Sequence, residues 1–80
     1  MNHERLAALI QALREAMDAD PERALAHETI VSIFTAIDKG EVTEGQALRL
    51  LGFQATHMTD EPGHAALYRQ AAAAIRQMRA

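Results

Sequence analysis

No cysteine occurs anywhere in the 80 residues, which excludes a disulfide framework, a thiolate metal site and a cysteine nucleophile together, and makes a reducing compartment the natural setting. Tryptophan is absent as well, and one tyrosine and two phenylalanines are the whole aromatic complement. Large rings are therefore too scarce to dominate a core. Basic residues number eight against eleven acidic ones, a formal net charge of −3, so there is no global electrostatic attraction to nucleic acid or an anionic membrane. No apolar run approaches the ~20 residues of a membrane span. The opening Met1-Asn2-His3-Glu4 lacks the basic and apolar regions of a signal peptide. These absences predict a soluble cytoplasmic protein without membrane contact. The alanine excess and the preference for arginine over lysine suggest a GC-rich bacterial or phage source.

Enzymatic signatures are missing too. There is no Gly-rich phosphate loop, no nucleophile elbow and no pair of acids placed to share a cleft. The expectation is a non-enzyme with no catalytic residues and no cofactor.

What the chain does have is one dense apolar stretch, Pro21 to Asp38, around which the rest is organised. On a helix, Ala26, Ile30, Ile33 and Ile37 fall at offsets 0, 4, 7 and 11 and form a single stripe that Phe34 widens. Leu25 and Val31 lie about 120° from the stripe's centre, on opposite flanks. The ends are marked: Asp20 and Pro21 read as N-cap and first helical residue, Lys39 as a basic last turn and Gly40 as the glycine just past the end.

An earlier helix is predicted from about His3 to Asp18, capped by Asn2, with Leu6, Leu9, Ile10, Leu13 and Met17 on one face. The short connection through Asp20-Pro21 forces it antiparallel to the central helix. A short third helix begins at Thr43, which is spaced from Gln46 as a capping box. It carries Ala47, Leu48, Leu50 and Leu51 and is expected to stop at Gly52, with Phe53 packing back on Leu48. Gln54 to Gly63 reads as a polar, mobile loop. The last helix runs from about Pro62 to Arg79, with His64, Leu67, Tyr68, Ala71, Ala74, Ile75 and Met78 on one side. Its small residues suit close approach to the central helix. The fold class is all-α: a single helical domain over residues 1–80, built as a small bundle of three main helices plus one short one.

The segment Thr43 to Met58, with Thr43 before a helix, Ala47, Leu50 and Leu51 within it, Gly52 at the turn, then Phe53 and Met58, resembles the helix-turn-helix of bacterial repressors. That resemblance implies a small DNA-binding regulator. Its reading helix would span Ala55 to Glu61 and contains no Arg or Lys, the side chains that read bases and neutralise phosphates; nucleic acid is therefore the second reading. Phe34 to Phe53 also resembles an EF-hand at Asp38-Lys39-Gly40, Glu41 and Glu44, but calcium needs about six oxygen ligands and a longer loop. A His-based metal site at His57, Asp60, Glu61 and His64 is the third reading, across a segment broken by Pro62-Gly63 where zinc ligands usually sit on a fixed frame. It leaves no metal ligand assigned.

The first reading is a protein–protein interaction module, an adaptor, inhibitor or regulatory subunit acting through a helix face. A domain this small buries only about 60% of its unfolded surface, and much of the 49% hydrophobic share is alanine, so a partner chain supplies burial the monomer lacks. The candidate interface comprises Leu25 and Val31 flanking the central stripe, Ala71 and Ala74 on the last helix, and Arg69 and Arg76 on its basic face with Arg79. The expected assembly is a homodimer whose contact includes Leu25, Val31 or the alanine-rich face.

Overall fold

The computed structural model describes residues 3–57 and 61–79, the last of these by its backbone alone. The predicted cap Asn2, the segment Met58 to Asp60 and the side chain of Arg79 lie outside it. Four α-helices make up the described chain: α1 (His3–Ala19), α2 (Ala24–Asp38), α3 (Glu44–His57) and α4 (Pro62–Arg79), with a single 3₁₀ turn, Pro21–Arg23, leading into α2. No strand occurs among the described residues.

The central stripe folds with the predicted phase. Ala26, Ile30, Ile33, Phe34 and Ile37 are all buried. His27 joins them, 4% exposed, and its Nδ1–H donates to the Arg23 carbonyl at 3.0 Å; a ring so buried has to find a partner for its polar atom. The C-terminus of α2 closes as the glycine predicts. Gly40 takes φ +76°, its N–H donates to the Ile37 carbonyl at 3.0 Å, and the Glu41 N–H donates to Ala36 at 2.8 Å. Two carbonyls left over by the helix end are satisfied in this way.

The start of α2 differs from the expectation. Asp20 makes no capping bond; its carboxylate instead accepts from the Arg23 guanidinium at 3.1 and 3.4 Å, and a turn of 3₁₀ helix intervenes. A charge-assisted bond from a guanidinium three residues on outcompetes a neutral backbone N–H for the same oxygens.

The third helix is not short. It runs 14 residues, through Gly52 to His57, so the first four residues of the expected loop, Gln54 to His57, are helical, and Pro62-Gly63 already belong to α4. Gly52 does not adopt positive φ. A glycine inside a helix costs about 1 kcal/mol, whereas Ala47, Leu51 and Ala55, four residues apart, are all buried and need the helix to continue past it. The predicted capping box is present: the Gln46 N–H donates to Thr43 Oγ1 at 3.1 Å and the Thr43 N–H donates to Gln46 Oε1 at 2.8 Å.

Packing follows the chain order. His3 Nδ1 lies 2.8 Å from Asp38 Oδ1, joining the start of α1 to the end of α2 and making the pair antiparallel. A cleft brings Met78 beside Thr43, Glu44 and Gly45, so the end of α4 meets the start of α3. The principal partner of α4 is α3 and not α2, which corrects the expected close pairing with the central helix. Its inner residues are Ala65, Tyr68, Ala71, Ala72, Ile75 and Met78; His64 and Leu67 are only half-buried. The radius of gyration, 11.7 Å, is what about 80 residues give when folded onto one another.

Candidate functional site

Three places on this frame have the makings of a site: a polar cluster, a seam and an exposed helix face.

The polar cluster lies where the 3₁₀ turn meets the start of α4. Arg23 spans it, bonded to Asp20 and 4.0 Å from Glu61. His64 Nε2 is 3.1 Å from Glu61 Oε2 and 3.4 Å from the Glu22 carbonyl. The Asp20 hydrogen bond, reinforced by the charges of Asp20 and Glu61, raises the Arg23 pKa above its ordinary value, so the guanidinium stays charged. Gly63 fits against it so closely that a Cβ there would lie 2.5 Å from Arg23 Nε. Every side chain in the cluster has a partner in the chain, and the arrangement pins α4 to the entrance of α2. It explains the predicted His57 to His64 cluster differently. His64 serves Glu61, while His57 stands over the Phe53 ring with centroids 5.1 Å apart. Asp60 lies outside the described residues, and among these no group of three or more His, Asp or Glu is placed to hold a metal ion.

The seam separates α1 from α4. Leu9, Leu13 and Leu67 form its walls, Phe34 its floor, with Ala71 and Ala74 along the α4 side, in a cavity of about 160 Å³ that adjoins a second of about 260 Å³ sharing Leu9 and Ala74. Two predicted interface residues therefore come together here, but unequally. Ala71 is buried in the core: a side chain of one methyl is what lets neighbouring helices close over it. Ala74 is half-buried on the wall.

The exposed face belongs to α3. Leu50 and Phe53, one turn apart, are 44% and 53% exposed, and with Val42, Gln46 and Arg49 they line a groove of about 460 Å³. Sequence reasoning packs Phe53 back against Leu48 after a stop at Gly52; the continuation of α3 through Gly52 instead leaves Phe53 outward, one turn from the exposed Leu50. The signal was available in the spacing of Ala47, Leu51 and Ala55. The larger cleft, about 710 Å³ between His3, Ile37, Thr43, Glu44, Gly45 and Met78, is less suited to a ligand, because its polar groups are engaged: Thr43 with Gln46 and His3 with Asp38.

The remaining predicted interface residues are scattered. Leu25 is the most exposed large apolar side chain described, at 72%. Val31 is half-buried beside Arg14, Thr35 and Lys39 in a shallow depression. Arg69 and Arg76 are exposed on α4. The helix-turn-helix resemblance loses its turn, since Gly52 lies within uninterrupted helix. No described helix is long and apolar enough to cross a membrane. No protein-family model, curated protein or solved structure matches the chain.

Proposed function

We propose that the protein is an interaction module, a small helical bundle in the cytoplasm that works by offering the outer face of α3 to a protein partner, without catalysis and without a cofactor. One observation carries the reading: two large apolar side chains, Leu50 and Phe53, stand side by side and exposed on an ordered helix, with Val42 completing a groove between them and polar residues at its edge. Single exposed apolar side chains are common on any protein, whereas adjacent ones rimmed by polar groups mark contact sites. A helix presenting anchors one turn apart is a recurrent form of peptide and helix recognition. Neither Leu50 nor Phe53 belongs to the buried core, so little in the fold of the chain itself accounts for their position.

The test is comparative capture from the native host. Wild type and Phe53→Asp, matched for helicity by circular dichroism, are used as baits. The reading expects proteins retained by wild type and lost with Phe53→Asp. Identical captured sets would overturn it.

A further inference from the structure

We propose that the α3 groove is filled by a second copy of this chain, which inserts Leu25 at the start of its α2. The inference rests on the groove's being a protein contact and names the occupant.

Leu25 has what the groove lacks. It is 72% exposed on a turn held by α2, where the Thr29 hydroxyl donates to the Leu25 carbonyl at 2.9 Å, so it projects from an ordered helix. Glu22 and Glu28, three residues to either side, are exposed and share its face of the helix or the turn before it. The groove presents Val42, Leu50 and Phe53 with Arg49 at its rim. Neither Glu28 nor Arg49 has an ion-pair partner among the described residues. An apolar knob between acids thus matches an apolar groove beside a base.

The same complementarity runs through the whole molecule. Residues 1–38 carry seven acidic and three basic residues, a net −4, whereas residues 44–80 carry three acidic and four basic, a net +1. Two copies that meet like half to like half oppose −4 to −4; copies that meet head to tail place the acidic α1–α2 half of one against the α3–α4 half of the other. Opposite potentials favour the second encounter. The knob and the groove share no residue, so one filled groove leaves a second knob and a second groove, which either close reciprocally in a two-fold pair or take up a further copy. Both patches are small beside a stable dimer interface, which buries about 1,600 Å² in all, and the association belongs in the weak, concentration-dependent class.

The experiment is sedimentation velocity from micromolar to millimolar concentration on wild type, Leu25→Asp, Phe53→Asp and an equimolar mixture of the two variants, each checked for helicity by circular dichroism. Wild type should grow in mass beyond 8.8 kDa as concentration rises, to two chains if the contacts close reciprocally and past two if they do not. Each variant alone should lose this growth. The mixture should regain association but stop at two chains, because only the intact groove of one variant and the intact knob of the other remain. Glu28→Arg should weaken self-association, and adding Arg49→Glu to the same chain should restore it, a rescue that a folding defect would not show. Wild type that stays monomeric throughout, or association lost with Phe53→Asp yet untouched by Leu25→Asp, overturns the proposal. If the monomer persists while groove-dependent capture of other proteins succeeds, self-pairing fails and the interaction module stands; if both fail, so does the module.

Discussion

Two glycines twelve residues apart meet opposite fates. Gly40 ends α2 in a left-handed conformation with both its own N–H and that of Glu41 turned back onto the helix; Gly52 lies within α3 in ordinary helical geometry. The residue type is the same, so the difference comes from the residues on the C-terminal side of each. After Gly40 come Glu41, Val42 and Thr43, none of which continues the buried stripe of α2, and Thr43 already caps the next helix through Gln46. After Gly52 comes Ala55, four residues beyond Leu51 and buried with it. A glycine permits a helix to stop, and the apolar period beyond it decides whether it does.

The largest expected effect breaks the Gly52 side of this comparison. Leu51→Ala should destabilise the chain by about 2 to 5 kcal/mol in chemical denaturation, the range for truncating a buried leucine, whereas Leu50→Ala should stay within about 1 kcal/mol, because Leu50 is substantially in water already. Equal losses would put the helical phase of α3 in error. Gly40→Ala comes next, costing about 1 to 2 kcal/mol for a side chain forced into left-handed backbone, although no heavy atom lies within 4 Å of the added Cβ. Gly52→Ala should do the reverse and stabilise by about 0.5 to 1 kcal/mol, since the site is helical and its Cβ position equally open. Opposite signs at two uncrowded glycines, read as shifts of denaturation midpoint, are the sharpest form of the contrast. The smallest effect is at Arg76→Ala, expected within about 0.5 kcal/mol on an exposed helix face. Hydrogen exchange supplies an independent check: the Ala55 amide should be protected well above that of Glu44, in the first turn of α3, where helix N–H groups lack intrahelical acceptors.

The legibility of the sequence runs along the same line. The α2 stripe is plain because its large side chains, Ile30, Ile33, Phe34 and Ile37, select one face between them, and all four α-helices occupy segments whose period or caps announce them. The phase of α3 is obscured because Leu48, Leu50 and Leu51 spread over nearly half the helix circumference, and only the distant Ala55 decides among them. The site inherits that ambiguity. Leu25 stands out as a flank residue from the α2 wheel alone, whereas the groove at Leu50 and Phe53 becomes visible only once α3 is known to pass Gly52. Ala71 illustrates the converse: small residues mark close packing, and close packing belongs to the core as readily as to a surface between chains. The switch of Asp20 from cap to Arg23 partner turns on competition between two local hydrogen bonds, which spacing alone does not rank.

The pairing of α1 with α2 and of α3 with α4 also bears on how fast the chain finds its fold. Each helix's chief partner is its neighbour in sequence, only a few residues away along the chain, so bringing the two together closes only a small loop and costs little chain entropy. Proteins dominated by such local contacts fold in microseconds to milliseconds. Each half can condense before the two halves dock, and the mutations that slow folding most should lie within a hairpin, among the buried residues of α1 and α2 or of α3 and α4. Those that weaken only the docking of the halves should act chiefly by speeding unfolding.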